Sequence, residues 1–238
     1  MSDQSGSPSS SSLDLSSGEG DWQITPHGRF LGRALEDFDL VRGKRVLELG
    51  AGLANHTIRA ARRGASSIVA TEIAPSLLDT AKKNFAKHCP DFGEIEYRVA
   101  DWLAVDGVND ADLLLTNPPF AKSGQRNRRY FIDSLILDSH KRLAPEGELL
   151  FIQSSMADIE KTLRRLAENR WEAQVIAKEQ NPFRDYYYDD AEFMAEAKRV
   201  SGGFEVKDGK EWETLYVVHA KLRPWTPPAF AHIVEDAL

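Results

Sequence analysis

The chain has 238 residues, a net charge of −7 and one cysteine. At about 150 residues per domain this is one domain, or two small ones. A lone cysteine excludes an internal disulfide and a four-cysteine zinc site. The acidic balance shows no broad basic footprint for nucleic acid in bulk charge, leaving room only for a local basic patch, and no run of about 18 uncharged apolar residues predicts a membrane span. Apolar residues at 42% and charged residues at 28% argue against a wholly disordered chain.

Residues 1–20 hold nine Ser, three Gly, Asp3, Asp14 and Glu19, with no Lys or Arg. This composition predicts a mobile tail carrying −3 of the −7. It lacks a basic start followed by an apolar stretch, so it does not read as a secretory signal. The plain inference is a cytoplasmic enzyme with a single domain over residues 21–238.

An opening helix is predicted over 28–37. Arg45–Leu49 reads as a buried strand ending at Gly50-Ala51-Gly52, and Ala54–Arg63 as a helix closed by Gly64. Ser67–Thr71 is a second strand. A helix opens at Pro75 or Ser76, with Leu77, Leu78, Ala81 and Phe85 on one face. Strands follow at Ile95–Val99 and Ala111–Thr116, the latter entering Asn117-Pro118-Pro119-Phe120 and a polar loop. Tyr130–Leu143 is helical, Pro145-Glu146-Gly147 a turn, Glu148–Ile152 a strand and Ala157–Asn169 a helix. Trp171–Ala177 and Trp212–Leu222 read as the last strands. Alternation of strands with helices implies parallel pairing by right-handed crossovers, an α/β sheet with helices on both faces. Ligands in such sheets lie beyond the carboxyl ends of the strands, where strand order reverses.

The unusual loops fall at those ends. Gly50 permits a tight turn and Gly52 close approach of a ligand to the backbone. Asn55 stands where a dinucleotide fingerprint has its third glycine, and the phosphate-loop lysine is absent. Glu48 would repel a pyrophosphate but suits a sulfonium or ammonium group. Glu72, at the end of the second strand, is placed to accept hydrogen bonds from two ribose hydroxyls. Asp101 is placed to accept from an adenine amine, or alternatively caps a helix. Ile73 or Trp102 would give the base an apolar face.

Asn117-Pro118-Pro119-Phe120 is the most specific constellation. Two prolines stop the strand sharply and stiffen the backbone. The Asn117 side-chain oxygen and the Pro118 carbonyl are suited to accept both hydrogens of a planar NH2, with Phe120 stacking on the acceptor. Such a nitrogen is weakly nucleophilic. Two oriented acceptors hold it in line for methyl transfer and stabilise the charge that develops on it.

These residues resemble class I S-adenosylmethionine-dependent methyltransferases over roughly residues 25–222. Asn117-Pro-Pro-Phe120 resembles the branch that methylates planar nitrogens, which includes the release-factor glutamine methyltransferases and nucleobase amine methyltransferases. The resemblance implies a Rossmann-like seven-stranded, mostly parallel sheet with an antiparallel last strand. It implies S-adenosyl-L-methionine as cofactor, with Glu48, Gly50 and Gly52 at its methionine end, Glu72 on the ribose and Asp101 on the adenine side. Asn117 and Pro118 would receive the target amine. It also implies that Thr25–Gly28 closes over the cofactor; His27 alternatively reads as a surface turn residue.

Lys122, Arg126, Arg128 and Arg129 flank this loop. They are placed to meet phosphates, a carboxylate or water; Arg126 and Arg128 are candidate substrate contacts. Residues 181–190, Asn-Pro-Phe-Arg-Asp-Tyr-Tyr-Tyr-Asp-Asp, read as a lid or substrate wall through Tyr186, as a packed surface excursion, or as a contact for a homo-oligomer. The expected acceptor is a nitrogen of a small metabolite or of a protein side chain. The alternatives are an RNA nucleobase amine and a catalytically weak partner subunit. No metal is expected.

Overall fold

A computed structural model describes residues 13–17, 23–119 and 129–224. In chain order the elements are α1 (Pro26–Asp37), β1 (Arg45–Leu49), α2 (Asn55–Arg62), β2 (Ser67–Glu72), α3 (Pro75–His88), β3 (Ile95–Val99) and β4 (Ala111–Thr116). They continue as α4 (Tyr130–Asp138), β5 (Leu143–Ser154), α5 (Ile159–Glu168), β6 (Trp171–Pro182), α6 (Asp185–Tyr188), α7 (Ala191–Ala197), β7 (Glu205–Lys207) and β8 (Lys210–Leu222). The strands form one sheet in the order β3-β2-β1-β4-β5-β8-β6. Neighbours from β3 to β5 are parallel, and β8 runs antiparallel to both β5 and β6. The Rossmann-like seven-stranded sheet with an antiparallel last strand is therefore present. Short β7 adds an eighth strand, joined to β8 by Asp208–Gly209, both at positive φ, the geometry of a two-residue hairpin turn.

Period-two alternation divides the core. Val46, Leu113, Leu115, Leu150 and Ile152 pack beneath α1, α2 and α3. Leu47, Leu49, Leu114, Leu149 and Phe151 pack beneath α4 and α5. Strand order reverses between β1 and β4, which opens a crevice at their carboxyl ends. Two threonines tie the rim: Thr71 Oγ1 donates to Glu48 O at 3.1 Å and Thr116 Oγ1 to Leu49 O at 2.9 Å.

Several boundaries differ from the sequence reading. α1 starts at Pro26 because the Thr25 side chain caps it, accepting from Gly28 N at 3.1 Å, and Pro26 needs no amide partner there. The helix expected to reach Leu143 stops at Asp138 and tightens into a 3-10 turn over Ser139–Arg142. Pro145-Glu146-Gly147 is not a turn between elements but an irregularity inside β5, with Glu146 at φ +60°. β6 runs on to Pro182, because β8 offers it partners along that whole length.

Residues 13–17 lie on the fold rather than in a mobile tail. Leu13 and Leu15 pack against the core. The Asn84 amide, on α3, accepts from Ser16 N and donates to Ser16 O, both at 2.9 Å, and donates to Leu53 O at 3.1 Å. A buried side chain thus takes the part of a neighbouring strand. Serine content concealed this because the two leucines supply the docking energy and their receiving surface is remote in sequence.

Asn84→Ala removes all three bonds. It is expected to cost about 1–3 kcal/mol, read from urea unfolding. An unchanged midpoint would show that residues 13–17 are not held.

Candidate active site

The crevice opens into a cavity of ≈ 730 Å³ above the carboxyl ends of β1, β2 and β4. On one side stands the glycine loop. Gly50 and Gly52 adopt φ +73° and +53°, and a Cβ on either would meet no atom within 4 Å. The space that side chains would fill is left to the cavity, and the left-handed φ values themselves favour glycine. Gly52 N donates to Glu72 Oε2 at 3.0 Å and Ile73 N to Glu72 Oε1 at 2.9 Å. The Glu72 carboxylate is thereby fixed on the cavity wall, with lone pairs to spare for a hydroxyl. Ile73, 61% exposed, presents an apolar side beside it. Asp101 and Trp102 follow β3 on the same wall. The Trp102 indole is held from below: Nε1 donates to Ser134 Oγ at 2.8 Å, and its ring meets Phe131 edge-on at 4.9 Å between centroids.

Glu48 is not on this wall. Alternation along β1 turns its side chain toward α2, where it is fully buried. Its carboxylate accepts from Thr57 Oγ1 and lies 3.2 Å from His56 Nδ1. The His56 ring carries the contact on to the cavity, with Nε2 3.0 Å from Gly28 O. Glu48 therefore reaches the crevice only through His56. A charge at the centre of a strand demands such partners, since an unpaired one is costly.

Asn117, Pro118 and Pro119 line the opposite side, directly after β4. The close neighbour of Asn117 is α1: a Cβ at Gly28 would lie 3.7 Å from Asn117 Nδ2. Phe120, Arg126 and Arg128 lie outside the described residues. Arg129, from the same basic run, is taken up by the fold. It donates to Asp158 O, Thr162 Oγ1, Ala157 O and Asp133 Oδ1, and so holds the α4–α5 junction.

The third wall comes from residues 181–190. Phe183 and Tyr187 are buried in a small core of their own with Met156, Phe193 and Ala197. This anchors the segment, so that Arg184, Tyr186 and Tyr187 face the cavity. The Arg184 guanidinium donates to Tyr186 OH at 2.8 Å and to His27 Nδ1. It also lies over the rings of Tyr186 and Tyr187, at 5.6 and 5.8 Å. Tyr187 OH donates to Glu213 Oε1 at 3.1 Å. Burial pushes the Glu213 carboxyl above its ordinary value. Burial, assisted by the Arg184 charge, takes His27 from 6.5 down to about 3. His27 is thus a buried, neutral acceptor and not a surface turn residue.

The methyltransferase small domain family matches residues 28–183, about two thirds of the chain. The chain belongs to that family. It is an S-adenosylmethionine-dependent methyltransferase. A protein of Methanocaldococcus jannaschii named for a proposed protein N5-glutamine methyltransferase activity is 25% identical over 160 residues, covering 61% of this chain and 79% of that protein. A ribosomal protein L11 methyltransferase of Lactobacillus gasseri is 30% identical over 145 residues, 59% of this chain but 41% of that longer protein. Among solved structures, a proposed RNA methyltransferase of Pyrococcus horikoshii superposes with a TM-score of 0.61 at 15% identity, covering 89% of this chain and 95% of that one. At that identity the likeness concerns the fold alone.

The methyltransferase cavity suits its cofactor on its own chemistry. The glycine cradle is open, a carboxylate stands at the end of β2, and apolar side chains flank Asp101. Sequence reasoning missed His56 and Arg184 as cavity residues. His56 was detectable as a polar residue one turn after the glycine loop. Arg184 was visible in an odd segment, but nothing local tells which of its residues turns inward.

The His27 shift sets a pH dependence. Between about 6.5 and 3 the unfolded chain binds a proton that the folded one refuses. Stability from this residue is complete above 6.5 and falls on acidification, by ~1.4 kcal/mol per pH unit. His27→Gln should flatten the acid limb of the denaturation midpoint against pH. Identical limbs in the two proteins would place the ring in solvent.

Proposed function

We propose that this methyltransferase modifies a planar amide or amine nitrogen of a small molecule, presented by Asn117 and Pro118. The observation that carries the reading is that Asn117-Pro118-Pro119 lines the same cavity as the glycine loop and Glu72. Gly50 and Gly52 allow close approach of the cofactor's methionine end, and Glu72 accepts from the ribose. Ile73, Asp101 and Trp102 receive the adenine. S-adenosylmethionine, when bound, supplies an electrophilic methyl on a sulfonium. Asn117 Oδ1 and the Pro118 carbonyl accept the two N–H groups of the acceptor and keep its lone pair aligned. As the nitrogen gains positive charge, those oxygens stabilise it, and the proton it then sheds leaves to solvent. Neither Pro118 nor Pro119 has an N–H that would compete, and both fix the loop backbone.

A walled cavity favours a small acceptor. A protein glutamine amide is the second reading, supported by the M. jannaschii relative. RNA is disfavoured because, among the described residues, only one Lys or Arg lines the cavity. Among the described residues no helix is long and apolar enough to cross a membrane, and we place the enzyme in the cytoplasm.

Methyl transfer from tritiated S-adenosylmethionine into a fractionated cell extract tests this. Label should appear in the small-molecule filtrate; label in the protein or RNA fraction would replace the acceptor. Asn117→Ala should lower transfer roughly 100-fold while leaving cofactor affinity nearly unchanged, because it removes a transition-state contact. Undiminished transfer would strip Asn117 of this role.

A further inference from the structure

The cavity has two electrostatic ends. Glu72 and Asp101 stand on the wall built by β2 and β3. Arg184 follows β6, at the other edge of the sheet, beyond β4, β5 and β8. Among the described residues it is the only Lys or Arg lining the cavity.

Among the described residues no carboxylate forms a direct ion pair with it, although its charge acts on buried Glu213. The guanidinium spends one N–H on Tyr186 OH and one on His27 Nδ1, both neutral acceptors. Nε is buried without a hydrogen-bond partner. Of five N–H groups, three are thus left over. Glu213, the nearby buried acid, is turned to Tyr187 OH. A guanidinium inside a cavity, fixed in orientation and short of acceptors, is a costly arrangement unless a ligand completes it. The fold holds it there from three sides: the His27 ring on α1, the Tyr186 hydroxyl, and the rings of Tyr186 and Tyr187.

Arg184 also lies close to the methyl-accepting loop. His27, which it bonds, precedes Gly28, whose Cβ position is 3.7 Å from Asn117 Nδ2. One turn of α1 therefore spans the distance between the cation and the amide.

We propose that Arg184 is the specificity residue of this enzyme, and that the acceptor is a small molecule carrying a carboxylate, which the Arg184 fork binds while Asn117 holds the nitrogen to be methylated. This rests on the small-molecule reading above and adds the chemical class of the acceptor. The guanidinium plane matches a carboxylate with two parallel N–H bonds. Tyr186, Trp102 and Pro118 provide apolar walls for the body of the molecule between its two polar ends.

The test uses the full chain saturated with S-adenosylhomocysteine, so that a carboxylate subsite of the cofactor is already filled. Benzoate, its uncharged isostere benzamide, and inorganic phosphate are titrated in and followed by calorimetry and by the Arg side-chain 15Nε resonances. Saturable benzoate binding with benzamide at least about tenfold weaker is expected, since a site built for a charged oxygen pair rejects an analogue lacking it. Arg184→Gln should abolish the benzoate preference while S-adenosylhomocysteine affinity stays within about twofold. Arg184→Lys should keep a weaker preference, since it retains charge without the fork. Equal binding of benzoate and benzamide, absence of benzoate binding, or benzoate binding retained in Arg184→Gln would overturn the proposal. A large loss of S-adenosylhomocysteine affinity in Arg184→Gln would reassign the residue to the cofactor. Tighter binding of phosphate would replace the carboxylate with a phosphoryl group. Failure of the unaltered protein to bind S-adenosylhomocysteine would instead overturn the cofactor assignment, and this proposal with it.

Discussion

One backbone carbonyl ties the two sides of the cavity together. Gly28 O, in the first turn of α1, meets Asn55 Nδ2 and His56 Nε2 from the start of α2, each at 3.0 Å. Behind His56 stands buried Glu48, in the middle of β1. The path runs from the central strand, through an imidazole, to the helix that walls the acceptor side. A carbonyl in the first turn of a helix normally serves the amide four residues on; here it also faces two side-chain donors, which only the close approach of a neighbouring helix brings within reach. That approach is visible at Gly32, where a Cβ would fall 2.8 Å from Arg59 Nε. Any larger residue there would force the Arg59 and Asn55 side chains aside, and Asn55 is one of the two donors on Gly28 O.

The same logic recurs around the rim. Side-chain donors and acceptors replace a regular ladder wherever the sheet ends: Thr71 and Thr116 on the carbonyls of β1, Glu72 on the amides of Gly52 and Ile73, Asn84 on Leu53 O. Each satisfies a backbone group that the cavity would otherwise leave bare. The glycine loop is thus held mainly by its surroundings, through Gly52 N on Glu72 and Ala51 N on Thr71 O, with Ala54 N to Ala51 O as a bond of its own. It stays open to a ligand without being loose. Docking of residues 13–17 belongs to this set, because the Asn84 amide that receives Ser16 also supports Leu53 at the end of the loop.

What the sequence disclosed follows from the range of the interactions. Strand alternation, the glycine turn after β1 and the prolines after β4 are local, and each dictates its own geometry within a few residues. Their assembly at one end of the sheet follows from right-handed crossovers. Glu48 misled because spacing from Gly50 says nothing of which face a strand residue takes; its partners His56 and Thr57 decide that. Arg184 and His27 stand 157 residues apart, and Ser16 and Asn84 68 apart. No periodicity announces such pairs. The serine-rich start read as tail because composition averages over two leucines that matter individually.

The insert after β6 adds a third cavity wall to the sheet without belonging to either main core. β1, β2 and β4 present the glycine loop, Glu72 and Asn117, the parts assigned above to cofactor and acceptor nitrogen. Residues 183–197 instead carry a separate core of Phe183, Tyr187, Phe193 and Ala197, which takes Met156, just after β5, from the main fold and is tied to β8 by the bonds of Phe183 N to Glu211 O and of Tyr187 OH to Glu213. A segment with its own core can change its inward residues without disturbing the strands that hold the reaction centre, because coupling falls off between sites that share no packing partners. On the proposal that Arg184 selects the acceptor, reaction and selectivity are kept in different cores. One contact joining them is the bond from Arg184 to His27 on α1, where the amide of Asn117 is also within reach.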